Sequence, residues 1–356
     1  MRASPLARLL LLVYVLLVVY ATLYPLSGWR DSGIPAFEFL IASRPRYITG
    51  FDLAVNILGY IPLGWLAVLA LQPRVSGTAA FSATVATGAA LALLLEATQT
   101  LLPARFASNI DLACNITGVA LGALLGVRSV GWLLGEGPLL RWRARHVLPG
   151  ARADAGLVLL ALWVATQLNP ASLLFGAGDL RDLFRQPVGS AYEADVFVAI
   201  EALTASSNLV AVGLLASAIL APAAPVLRSL AVLIGLGLCV KTGAFAILRQ
   251  AEDVFHWLTP GALIGLAVGL PLLFAAVLLP RVLRLGIAAV LLMAATVLVN
   301  MAPANPYLVA TLVVWGQGHF LNFNGLTRLL SSVWPFAALL YLILLAARQN
   351  DEGSRR

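Results

Sequence analysis

Leu95-Glu96-Ala97-Thr98-Gln99-Thr100-Leu101-Leu102-Pro103-Ala104-Arg105-Phe106-Ala107-Ser108-Asn109-Ile110-Asp111-Leu112-Ala113-Cys114-Asn115 is the stretch that decides the fold. A polar turn containing proline separates two apolar runs, 78–102 and 108–134. Each run exceeds the roughly 20 residues that a helix needs to cross a bilayer. A polar turn between two such runs is a transmembrane helical hairpin. Further runs lie at about 8–26, 52–72, 155–170, 197–220, 227–248, 256–279, 284–303 and 332–347. The reading is therefore an all-α, polytopic transmembrane bundle of about ten spans, with nine to eleven as the range. The run at 155–170 is short, and Pro306 to Trp315 is apolar but too short to cross alone, so it reads as re-entrant or interfacial.

Composition agrees with that reading. The 356 residues are 61% hydrophobic and 11% charged, with mean hydropathy +0.93. A soluble domain is about one quarter charged, so soluble enzymes, disordered tails and fibrous proteins are excluded. Long unbroken runs, rather than alternating segments, exclude an outer-membrane barrel. Of 23 basic residues only Lys241 is a lysine; this bias points to a GC-rich, bacterial source. With ten spans and the N-terminus inside, 14 arginines fall on the inner side and eight on the outer side. The positive-inside bias then assigns an N-in, C-in topology in the bacterial inner membrane, and explains the net charge of +7 without a nucleic-acid partner. The cluster Arg141-x-Arg143-x-Arg145 weighs most. Arg2 and Arg8 precede the first run, and bulky Tyr20 to Pro25 follows it where a signal peptide would carry small residues; an uncleaved first span is expected.

Ionisable groups inside spans are costly and need a reason. Asp52 and Asn56 are four residues apart on one helix face, as are Asp111 and Asn115; Glu96 and Gln99 are three apart. All lie in the outer half of the membrane by the assigned topology. The short turn makes the third and fourth spans antiparallel neighbours, so Arg105 is expected to reach Glu96 or Asp111. Asp52, Asn56, Glu96, Gln99, Arg105, Asp111 and Asn115 form a candidate ligand-binding group whose three carboxylates outnumber its one arginine. Gly118 and Gly122 have the four-residue spacing that lets helices approach closely. A structural polar network is the competing reading.

The order Asp52-x3-Asn56-x5-Pro62-x-Gly64, then Glu96-x2-Gln99 with Pro103 and Arg105, then Asp111-x3-Asn115-x2-Gly118-x3-Gly122 resembles the VanZ-like family over roughly residues 8–135. The resemblance implies an inner-membrane protein of the cell envelope, of a family named for a link to teicoplanin resistance, with no settled biochemical activity.

The chain divides into a four-helix membrane domain (1–135), a basic cytoplasmic loop (136–154) and a second bundle (155–350). Val164 to Pro170 resembles Val19 to Pro25, Asn208 stands as a counterpart of Asn56, and Gly261-x3-Gly265-x3-Gly269 matches Gly118-x3-Gly122-x3-Gly126. The second bundle thus reads as a degenerate repeat of the first plus two helices. Lys241 stands where Glu96 would be, with Arg249, Glu252, Asp253 and His256 nearby, and Glu201 is its expected partner; both join the candidate site residues. The segment from Trp315 to Arg328, with His319, reads as an outer interfacial loop or a cover. Cys114 and Cys239 read as small buried hydrophobes.

No zinc spacing, His-Glu-x-x-His, Gly-x-Ser-x-Gly or phosphate loop is present, so no cofactor and no metal are expected. Oxygen ligation of Mg²⁺ or Ca²⁺ by Asp52, Glu96 and Asp111 is the weaker alternative. Three functions remain. The first is non-catalytic binding of an envelope lipid or cell-wall precursor. The second is an intramembrane enzyme using Glu96 and Asp111 as acid and base. The third is a secondary transporter. The first leads because nothing resembling a nucleophile or metal centre supports the second, and matching broken helices for the third are lacking.

Overall fold

Apolar periodicity ends wherever proline, glycine or charge interrupts it, and the helices end there too. In the computed structural model, which describes residues 4–31, 33, 35–43, 49–135, 137–181, 194–248, 254–303 and 321–353, these are α1 (Pro5–Leu23), α2 (Gly50–Leu71), α3 (Gly77–Gln99), α4 (Asn109–Leu134), α5 (Pro138–His146), α6 (Ala151–Thr166), α7 (Ala194–Ile219), α8 (Val226–Leu248), α9 (Pro260–Val277), α10 (Arg281–Met301) and α11 (Leu321–Gly353). Among the described residues nine helices, all but α5 and α6, are long and apolar enough to span a membrane, and no strand forms beyond one isolated bridge between Val147 and Leu220. The protein is a multi-pass helical membrane protein. The tenth expected span, read as short at 155–170, is α6, which begins and ends four residues earlier and has the same 16 residues, about 24 Å of helix. Pro306 to Trp315, residues 315–320 with His319, and Arg249, Glu252 and Asp253 lie outside the described residues, whereas 321–328, read as an interfacial loop or cover, are the helical start of α11.

The chain forms two units, residues 1–145 and 146–356. In the first, α2 and α4 pack backbone to backbone. A side chain at Gly118 would meet the Ile57 carbonyl, one at Gly122 the Ile61 carbonyl, and one at Gly126 the Trp65 carbonyl and Val68. Gly64 of α2 returns the contact against Val119 of α4. Trp65 Nε1 donates to Ser129 Oγ at 2.8 Å, and Tyr14 OH of α1 donates to the Gly59 carbonyl at 2.8 Å. That carbonyl lies next to the Leu58 carbonyl, which loses its helical donor to Pro62. Leu12, Leu16, Leu58, Leu94 and Leu125 point outward, as a lipid-facing surface requires.

In the second unit α7 is central: 83% of its apolar window is buried, against no more than 44% for any other candidate span. The same glycine device recurs. Gly261, Gly265 and Gly269 of α9 pack on Val198, Ala202 and Ser206 of α7, again at four-residue steps. This register sets position 197, rather than Asn208, where Asn56 stands in the first unit.

After α6 the chain runs through a stretch, 167–181, that is non-helical up to Leu180 and nonetheless buried at Leu173, Leu174, Phe175 and Ala177. Backbone groups out of water must find partners, and side chains from three helices supply them. Lys241 of α8 donates to the Asn169 and Ser172 carbonyls, each at 2.8 Å. Asn300 of α10 accepts from Leu180 N at 2.9 Å and donates to the Gly178 carbonyl at 2.7 Å. Ser332 of α11 donates to the Asp179 carbonyl at 2.8 Å. Trp163 and Phe175 pack ring to ring at 5.3 Å. Cys239 is exposed and Cys114 half-buried rather than both buried; a thiol is apolar enough to face lipid without cost.

Candidate functional site

The site forms where the 100–108 turn meets the end of α1 and the start of α2. Ser108 caps α4, its Oγ accepting from Ile110 N at 3.2 Å and Asp111 N at 3.4 Å. Asp111 occupies the third helical position, whose side chain in a capping box would accept the cap residue's N–H. Here Glu96 of α3 does so instead: Ser108 N donates to Glu96 Oε2 at 3.0 Å. Asp111 is thereby released to another partner, and its Oδ1 accepts from Asn56 Nδ2 of α2 at 2.8 Å. Two carboxylates thus gather at one helix N-terminus, where the helix dipole favours negative charge. Glu96 is 2% exposed. Glu96 lies within electrostatic reach of Asp111, and Asp111 of Asp52.

Arg105 is the main departure from expectation. It makes no ion pair with Glu96 or Asp111 among the described residues; its guanidinium turns to α1, Nε donating to the Tyr24 carbonyl at 2.7 Å and Nη2 to the Ala21 carbonyl at 3.3 Å. Gln99 joins it, Nε2 donating to the Thr22 carbonyl at 2.9 Å. The last carbonyls of a helix have no partner of their own and carry its negative pole, so a cation and an amide there cap α1. Burial pulls the Arg105 guanidinium below its usual range, while Glu96 and Tyr24 act to hold it up. Glu96 therefore feels the arginine's field without being bonded to it.

Asp52 is likewise partly committed. Thr49 Oγ1 and Thr49 N donate to its Oδ2 at 2.7 and 3.1 Å, and Asp52 N donates back to Thr49 Oγ1 at 3.2 Å, a capping box for α2. Asn115 is 3% exposed and its Oδ1 has no partner among the described residues. Gly118 and Gly122 serve packing, one and two turns further along α4. Asp52, Asn56, Glu96, Arg105 and Asp111 are thus brought together, with Gln99 directed to α1 and Asn115 one turn deeper. Among the described residues no three His, Cys, Asp or Glu groups are placed to hold a metal ion, so Asp52, Glu96 and Asp111 do not form the oxygen-ligand set considered as an alternative.

Glu201 and Lys241 are both buried but differently engaged. Glu201 Oε2 accepts from Thr259 Oγ1, the cap of α9, at 2.6 Å, whereas Lys241 holds the 167–181 stretch. No ion pair joins them among the described residues. Each unit thus bonds one buried glutamate to the cap residue of its glycine-striped helix. Sequence reasoning missed Ser108, Thr49 and Thr259. The pairs Thr49-x-x-Asp52 and Ser108-x-x-Asp111 carry the signal for two of them, although for Ser108 it misassigns the acceptor.

Residues 11–130 match the VanZ/LLP1 family model. The first unit is thus VanZ-like, over about a third of the chain. No curated protein and no solved structure matches the chain.

Proposed function

We propose that this VanZ-like membrane protein is a non-catalytic component of the bacterial cell envelope. In this reading it resides in the cytoplasmic membrane and binds a polar or lipid-linked envelope ligand at Glu96, Asp111, Asn56 and Asn115, reached from the extracytoplasmic side, with a link to teicoplanin resistance. One observation carries the reading. Among the described residues Arg105, the cation within electrostatic reach of Glu96, is bonded to the end of α1, leaving the Glu96 and Asp111 carboxylates without a bonded counter-charge. Charge held out of water without a bonded counter-charge is expensive, and a ligand donating hydrogen bonds or positive charge would relieve it. The second unit is read as a degenerate copy that keeps the glycine packing frame and, among the described residues, one buried glutamate, Glu201.

The test replaces both carboxylates by amides, Glu96→Gln with Asp111→Asn, and measures binding and turnover of labelled envelope lipids by the purified protein. Expected are wild-type binding without turnover and a loss of affinity of about tenfold or more in the variant, since hydrogen bonds to charged groups contribute about 1.5–3 kcal/mol. Turnover lost in the variant would establish the intramembrane enzyme instead. Unchanged binding would remove the acidic site. The transporter reading has one observation of its own, the buried stretch 167–181, non-helical up to Leu180 and held by Lys241, since transporters interrupt helices at their binding sites. Uptake into proteoliposomes would favour it.

A further inference from the structure

We propose that α5 is a docking helix for acidic glycerophospholipid headgroups at the membrane face shared by the ends of the first unit's helices. Three observations define that face. Arg8 Nε donates to the Ala70 carbonyl at 3.3 Å, so the start of α1 lies beside the end of α2. Residues 72–76 join α2 directly to α3, so the start of α3 is there too. The end of α4, antiparallel to α3, then leads into α5. In the stretches 1–10, 72–77 and 126–145 the sequence carries Arg2, Arg8, Arg74, Arg128, Arg141, Arg143 and Arg145 against one acid, Glu136.

The helix itself is built for an interface. Nine residues, about 14 Å, cannot cross a bilayer. None of them is buried. Leu139 and Trp142, three apart, share one side and are 37% and 52% exposed; Arg141 and Arg145, four apart, share another. Trp132, on the last turns of α4, is exposed at the same end. A short helix with leucine and tryptophan on one side, Arg143 at the edge of that side, and Arg141 and Arg145 on the other lies in the headgroup plane. Tryptophan prefers that depth, and the guanidinium fork matches a phosphate. Positive charge in this density, with one acid to oppose it, selects anionic over zwitterionic headgroups. Each arginine near a charged surface is worth about fivefold in partitioning.

The full chain is reconstituted in phosphatidylcholine vesicles containing a minority of phosphatidylglycerol. Brominated acyl chains are placed on one lipid or the other at equal bromine content. The fluorescence of Trp142 is isolated by subtracting a Trp142→Phe variant. Quenching about twofold or more stronger with bromine on phosphatidylglycerol is expected, lost in the Arg141→Gln/Arg143→Gln/Arg145→Gln variant and kept when the same three positions are lysine. α5 buries no residue, and each variant is measured against its own Trp142→Phe partner. Equal quenching by both lipids in the wild type would overturn the proposal. So would absence of Trp142 quenching, or a preference that survives the glutamine variant.

Discussion

Arg105 and Lys241 are both cations that satisfy backbone carbonyls, and both have consequences that can be measured one residue at a time. Replacing Arg105 by Gln removes the donors to Ala21 and Tyr24 and leaves Gln99 alone on the α1 terminus. Hydrogen exchange at residues 20–26 should then quicken about tenfold, the effect of losing a charge-assisted bond, while α9 keeps its protection. If Arg105 instead paired with Glu96, the change would appear at Ser108 and the start of α4. Lys241 is 1% exposed, and Lys241→Met strands the Asn169 and Ser172 carbonyls. The expected cost is about 1–3 kcal/mol for each buried acceptor left unmade, read as a lowered thermal unfolding midpoint in detergent. Glu201→Gln should cost far less, because the amide oxygen can still accept from Thr259. Equal losses in the two variants would mean that a Lys241–Glu201 pair is the structural device.

At the scale of elements, the close α2–α4 and α7–α9 pairs rest on glycine. Gly122→Val drives a side chain into the Ile61 carbonyl and the Trp65 backbone, and Gly265→Val does the same at Ala202 and Ala205. Backbone cannot yield as a flexible side chain can, so each variant should lose about 1–3 kcal/mol or fail to assemble. Gly131→Ala is the control: nothing lies near a side chain there, and alanine favours the helix by up to about 1 kcal/mol. Thermal unfolding of the purified proteins separates the three. The helices and their glycine stripes were legible as unbroken apolar runs and four-residue spacing. Which carbonyl each glycine meets was not, because the stripe gives a face and the neighbour decides the register. The 16-residue α6 shows the same limit: Gln167 to Arg181 read as the end of a span and a loop, and became a buried strap because Lys241, Asn300 and Ser332 arrive from distant helices to satisfy it.

At the scale of the whole molecule, the arginine bias and the helix count constrain each other. Nine crossings would put the termini on opposite faces; the N-in, C-in topology requires α6, continued by 167–181, to cross as the tenth. Cysteine labelling in a background lacking Cys114 and Cys239 decides it. Single cysteines at Ser4 and Leu140 should be shielded from an impermeant reagent added outside intact cells, and one at Phe37 labelled. If a cysteine at Gly353 labels together with Phe37, α6 does not cross and the assigned topology is overturned.

Burial of apolar surface in lipid is local and additive along the chain, so the residues alone determined that this is a helical membrane protein, where its long spans lie and which polar positions are out of place within them. The VanZ-like segment was equally visible, because it is a pattern of residue types at set spacings. Partner choice among buried polar groups is neither local nor additive: each donor takes the best acceptor within reach, and reach depends on how helices far apart in sequence are packed. Only the tertiary structure could therefore turn Arg105 to α1, hand the Ser108 amide to Glu96 and leave Asp111 to Asn56.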